Sequence, residues 1–158
     1  MEQNRDGSMW RIVARARRLP RAERRMAVEA LAALAAVRVA LALLPFARVM
    51  TLLGLQARAS EAATPANATP EGQTLADAIG RAIRRSSRIA PFRAVCLQEA
   101  LAAAMMLRRR GCPTEVHFGV SRDDAGLITA HAWSVFRGVV VTGEEARAEQ
   151  TPIAIFAP

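Results

Sequence analysis

Residues 96–120 read CLQEALAAAMMLRRRGCPTEVHFGV, and their texture changes once, at Gly111. Before it, Leu97, Leu101, Met105 and Arg108 recur at helical spacing. Arg108, Arg109 and Arg110 fill the last turn, where positive charge suits the helix dipole. Gly111 suits the position just past a helix end, and Pro113 enforces the stop. After it, Thr114 to Ser121 alternates as a strand. A helix followed at once by strands, with more strands beyond, is an α+β pattern.

Downstream, Asp123 to Gly126 read as a turn, Leu127 to Phe136 as a second strand, Arg137-Gly138 as a two-residue hairpin turn, and Val139 to Thr142 as a third strand. Ile153 to Phe156 is a short apolar piece in an otherwise loose C-terminus. Upstream, residues 1–20 read as a short basic helix. A second helix is expected from Arg21 to Leu44, apolar nearly all round after Glu29 and therefore buried. A third runs from Phe46 to Leu53 and stops at Gly54. Residues 57–73, ARASEAATPANATPEGQ, carry no large apolar side chain and read as a linker. Asp77 to Ser87 reads as a short Arg-rich helix. The organisation is thus an N-terminal helical segment (1–56), a linker (57–73) and a core (74–158).

Hydrophobic residues make up 52% of the 158, enough for a packed core. The formal net charge is +8, and all 22 basic residues are Arg. Aromatics total only 4%, with none interleaved among the Arg clusters, which argues against a nucleic-acid surface. The charge reads as a solvated basic face, or as attraction to an acidic partner. Two cysteines do not make a disulfide framework, so free thiols in a reducing cytoplasm are expected. The basic N-terminus lacks the apolar core and cleavage site of a secretory signal. Arg38 and Pro45 interrupt the apolar run, so a buried or interfacial helix is favoured over a membrane span.

Cys96 and His131 carry the candidate chemistry. Cys96 opens its helix, where free N–H groups and the positive helix end favour a thiolate and offer donors to an oxyanion. His131 lies in the strand TAHAWSVF. With Phe136 opposite Val139 across the hairpin, counting outward brings Glu144 opposite His131, on the same face. Glu144 is thereby placed to orient the imidazole, and Glu145 points away unless a bulge intervenes. Trp133 shares the face of His131. Gln98 is a weak candidate oxyanion donor, and Glu99 reads as an N-terminal helix charge. Cys112 and His117 read as bystanders, His117 facing solvent or a local hydrogen bond. The Cys and His spacings match no standard zinc pattern, and no cofactor is implied.

These motifs resemble the B2 peptidases of lasso-peptide biosynthesis, which are transglutaminase-like, papain-like cysteine peptidases. The likeness runs over about residues 92–142 and takes in the Cys-Leu helix, its Arg-rich Gly stop, the strand ending Gly-Val, and AHAWSVFRG. RRLPRAERRMAVEALAALAAVRVALALLPF is similar to that family's leading helical segment. The resemblance implies a core helix carrying Cys96 on a small antiparallel sheet, His131 as base, and an acid about a dozen residues further on. That acid is usually Asp. Here no Asp follows Asp124, and position 143 is Gly, so Glu144 serves or the site is a dyad. It also implies removal of a leader from a ribosomally made precursor, with a separate leader-binding protein presenting it and a lasso cyclase acting next. Residues 1–56 read as helices and offer no leader-binding domain of their own.

Overall fold

The computed structural model describes residues 20–58, 67–122, 126–144 and 150–158. The expected helix over residues 1–20 lies outside them, Pro20 apart, as do Asp123, Asp124, Ala125 and Glu145.

Helix α1 spans Arg21–Leu43. Pro20 precedes it with φ of −51°, already close to helical, and Glu23 sits in its first turn. It ends at Leu43 because Pro45 disfavours helical backbone in the residue before it. Only one face is covered: Ala30, Ala33, Leu34 and Val37 are buried, at helical spacing. The expectation of burial all round is therefore corrected, since Val28, Val39 and Leu43 are exposed. By length and composition this helix is apolar enough to cross a membrane, yet its buried face packs on two other helices. Helix α2, Phe46–Leu52, follows, and then β1, Gln56–Arg58.

Helix α3 spans Pro70–Ile89 and starts inside the stretch read as linker. The cause is local: the Thr69 hydroxyl accepts the Gly72 N–H at 3.2 Å, and Pro70 fits the first helical position. Helix α4, Cys96–Arg108, lies against α1, α3 and the sheet. Its Leu101, Met106 and Leu107 are fully buried, so truncating any one to Ala should cost about 2–5 kcal/mol. The Arg residues at its end do more than complement a dipole. Arg110 grips Glu29 of α1 at 2.6 and 2.9 Å, and Arg108 donates to the Leu52 carbonyl at 2.6 Å.

Four further strands complete the sheet: β2 (Glu115–Arg122), β3 (Ile128–Phe136), β4 (Val139–Thr142) and β5 (Thr151–Ala157). The order is β1-β5-β2-β3-β4, with every pairing antiparallel. The β2-β3-β4 meander is as expected. The C-terminal strand returns to pair with β2, and β1 pairs with β5 at the edge. Val116, Ala132, Phe136 and Val141 join the core formed by α1, α3 and α4, so the N-terminal helices and the sheet share one hydrophobic interior.

Candidate active site

Cys96 is the first residue of α4, partly exposed and not in a disulfide. The helix needs donors and acceptors satisfied at its start, and Gln98 supplies one: its side-chain oxygen accepts the Val95 N–H at 3.4 Å. Val95 has no polar side chain to return the favour, so the cap is one-sided. Gln98 is buried and occupied in this way, which ties it to shaping the turn that presents Cys96.

His131 sits on β3 directly opposite Gly119 of β2. Strand alternation puts His131, Trp133 and Val135 on one face, and Ala132, Ser134 and Phe136 on the other. Ala132 and Phe136 face the helices. His131 is therefore on the face turned away from the main core. Trp133 is almost wholly buried there, its ring lying over Gly119, where an added β-carbon would stand 2.9 Å from it. On the other side Trp133 meets the His117 ring at 5.6 Å. His117 is buried rather than solvent-facing, and its local partner is Glu115 at 2.8 Å.

The β3–β4 register departs from simple counting. Phe136 pairs with Val139 as expected, but a bulge shifts the ladder so that Ser134 pairs with Thr142. Beyond that shift Glu144 no longer falls opposite His131. The strand in fact ends at Thr142, Gly143 turns with φ of +80°, and Glu144 is exposed just past it. The pairing of Glu144 with His131 by register is thus corrected. The residue that meets the ring is Gly143: a β-carbon there would lie 3.0 Å from Nε2 of His131. Nε2 is itself buried and, among the described residues, has no hydrogen-bond partner.

Among the described residues, no hydrogen bond joins Cys96 and His131. Catalytic contacts are often loose before substrate binds. Glu99 lies one turn along from Cys96 on the same helix face. Burial pushes the His131 imidazole below the ordinary histidine range, and the Glu99 carboxylate pulls it back up. Glu99 sits in the first turn of α4, as the sequence reading of it as an N-terminal helix charge had it.

Cys112 follows α4, its sulfur 3.7 Å from the Arg110 carbonyl, away from this arrangement. The described residues hold no cluster of His, Cys, Asp and Glu suited to a metal. A groove of about 730 Å³ runs between α1 and α4 beside Val28, Glu29, Met105 and Arg109, and neither Cys96 nor His131 lines it.

The profile of the transglutaminase-like superfamily matches residues 40–154. No curated protein and no solved structure matches the chain.

Proposed function

The chain belongs to the transglutaminase-like superfamily, and from that premise we propose that it is a cysteine peptidase that removes the leader from a ribosomally made precursor of the lasso-peptide kind. The observation that supports this reading is Cys96, partly exposed at the open first turn of α4, in a chain whose antiparallel sheet carries His131.

In this mechanism the Cys96 thiol gives its proton to His131 and the sulfur attacks the scissile carbonyl carbon. The first N–H groups of α4, which have no acceptor within the helix, receive the developing oxyanion. As the C–N bond breaks, protonated His131 gives its proton to the leaving amine. The leader is then held as a thioester. Water, losing a proton to His131, adds to that carbonyl and releases the leader as a carboxylic acid with Cys96 restored. Glu144, just past β4, is the acid the family pattern calls for, although the register no longer sets it against the ring. A separate leader-binding protein presents the precursor, and a lasso cyclase consumes the freed amine. The setting is a reducing cytoplasm, in which both thiols stay free.

The test is to incubate precursor and leader-binding partner with the wild-type chain, Cys96→Ala and His131→Ala, and to follow leader release by mass spectrometry. Both variants should lose at least about a thousandfold of the rate. Unchanged cleavage by Cys96→Ala removes the sulfur from the mechanism. A second reading, a non-catalytic peptide-binding scaffold of the same fold, draws on the absent Cys96–His131 hydrogen bond. It requires that the wild-type chain bind precursor and never cleave it.

A further inference from the structure

Helix α1 leaves part of its apolar surface uncovered, and that part is hollow. The groove of about 730 Å³ between α1 and α4 is floored by Ala32, Ala33, Ala36 and Met105. A second hollow, of about 520 Å³, shares Ala36, Met105 and Arg109 with it and continues past Ala40 to Leu52 of α2. Together they form one trough that follows α1 from Arg24 to Ala40, a length of about 24 Å at the helical rise per residue. Val28 near one end and Leu52 at the other are 65% and 66% exposed. The alanines matter because small side chains let the axis of a second helix come close. The rim is basic. Arg24 and Arg25 are exposed and, among the described residues, form no ion pair. Arg109 reaches only Glu29, at 4.0 Å, and that carboxylate is already held by Arg110 at 2.6 Å. Among the described residues, Glu29 is the one acid that lines the trough.

We propose that this trough receives an amphipathic helix of a partner protein, with Leu-type side chains at i, i+3, i+4 and i+7 and Asp or Glu along their flanks. About four turns of such a helix fill the trough. The apolar anchors meet the alanine floor, and the flanking carboxylates meet Arg24, Arg25 and Arg109. The same charge disfavours two other occupants. A second copy of the chain would set Arg rim against Arg rim. Residues 1–19 hold Arg5, Arg11, Arg15, Arg17 and Arg18 against Glu2 and Asp6, so they too would bring like charge to the rim. A lipid surface is disfavoured by shape. Lipid-facing helices present bulky Leu, Phe and Trp side chains outward, whereas here alanines form a concave floor and, among the described residues, no aromatic side chain lines it. The trough uses the far end of α4: Met105 lies about 14 Å along that helix from Cys96. Docking there leaves the first turn of α4 open, and it holds whether or not Cys96 is a nucleophile.

The test uses the full-length chain and a fluorescein-labelled helical peptide of about 18 residues, with Leu at the anchor spacing, Glu on both flanks and Ala elsewhere. Fluorescence anisotropy should show saturable binding that weakens as salt is raised. The same peptide with Lys for Glu should bind at least about tenfold more weakly. Arg24→Glu with Arg25→Glu should weaken binding of the Glu peptide at least about fivefold. Arg88→Glu with Arg122→Glu makes the same change in net charge away from the trough and should leave binding within about twofold. Ala32→Gln with Ala36→Gln fills the floor at two exposed helix positions and should also weaken binding at least about fivefold, with thermal unfolding close to wild type. The proposal is overturned by no binding of the Glu peptide, by equal binding of the Lys peptide, or by equal losses from the two Arg pairs. Two further outcomes overturn it in favour of another occupant. One is sedimentation with anionic phosphatidylglycerol vesicles that Ala32→Gln with Ala36→Gln abolishes while peptide binding is absent. The other is a dimer in analytical ultracentrifugation that the same pair of substitutions dissociates.

Discussion

Gly143 lies against His131 so closely that a β-carbon at 143 would stand 3.0 Å from Nε2. The glycine is required twice over, by this contact and by its positive φ. Gly143→Ala should therefore lose about 2 kcal/mol or more of stability, from left-handed backbone strain plus crowding against Trp133. Gly143→Asp should lose at least as much and should gain no activity, although it restores the family's acid in sequence. Urea unfolding midpoints check the first statement. Wild-type stability in Gly143→Ala would show that the turn relaxes freely and that the ring is not fixed by it.

The bulge that brings Gly143 to the ring is secured by a buried pair of hydroxyls. Ser134 Oγ and Thr142 Oγ1 are 2.9 Å apart, and both residues are essentially inaccessible. Thr142→Val keeps the shape but strands the serine hydroxyl, so it should cost about 1–3 kcal/mol. Ser134→Ala with Thr142→Val removes both partners and should recover much of that loss. A double-mutant cycle gives the coupling directly. Additive losses would mean that the two hydroxyls do not pin the register.

The helix of residues 96–108 and the two hairpin strands were legible because their signals are local: apolar spacing, an Arg-rich final turn with Gly111, alternation around Arg137-Gly138. The family pattern marked Cys96 and His131 for the same reason. What escaped was set across the chain. The β3–β4 bulge has no mark in VVVTG, where three valines fit a regular ladder equally well, so counting placed Glu144 one step out of register. Strand β1 is three residues, QAR, and exists only because β5 supplies its partner. Helix α1 reads as apolar nearly all round, yet only its Ala30 to Val37 stripe is fully buried.

The ion pair between Glu29 and Arg110 ties the middle of α1 to the end of α4. It has two short contacts and both side chains are mostly covered, Glu29 at 23% and Arg110 at 29% exposed. Such a fork is stronger than a surface pair. The Arg110 hydrogen bonds hold the Glu29 carboxyl below the ordinary glutamate range. Its contribution is thus present above the unfolded-state value and is lost as pH falls toward the folded one. Glu29→Gln should cost about 1 kcal/mol at neutral pH and progressively less in acid. Chemical denaturation at neutral and acid pH measures the difference. An equal cost at both would assign the effect to packing.

His131 gives stability a second pH dependence, with the site itself as its cause. Burial holds the imidazole below the ordinary histidine range, and the Glu99 carboxylate only partly offsets this. In the unfolded chain the ring returns to its ordinary value. Between the two values the unfolded chain binds more protons, so stability rises with pH there. The contribution is complete above the ordinary histidine range and declines as pH falls through it toward the folded value. His131→Asn has no proton to bind and should flatten the thermal-midpoint profile over roughly pH 5–7. Glu99→Gln, which removes the opposing pull, should steepen it. Parallel profiles for wild type and His131→Asn would mean that the ring is as well solvated in the folded chain as in the unfolded one, and the close seat against Gly143 would then have to be abandoned.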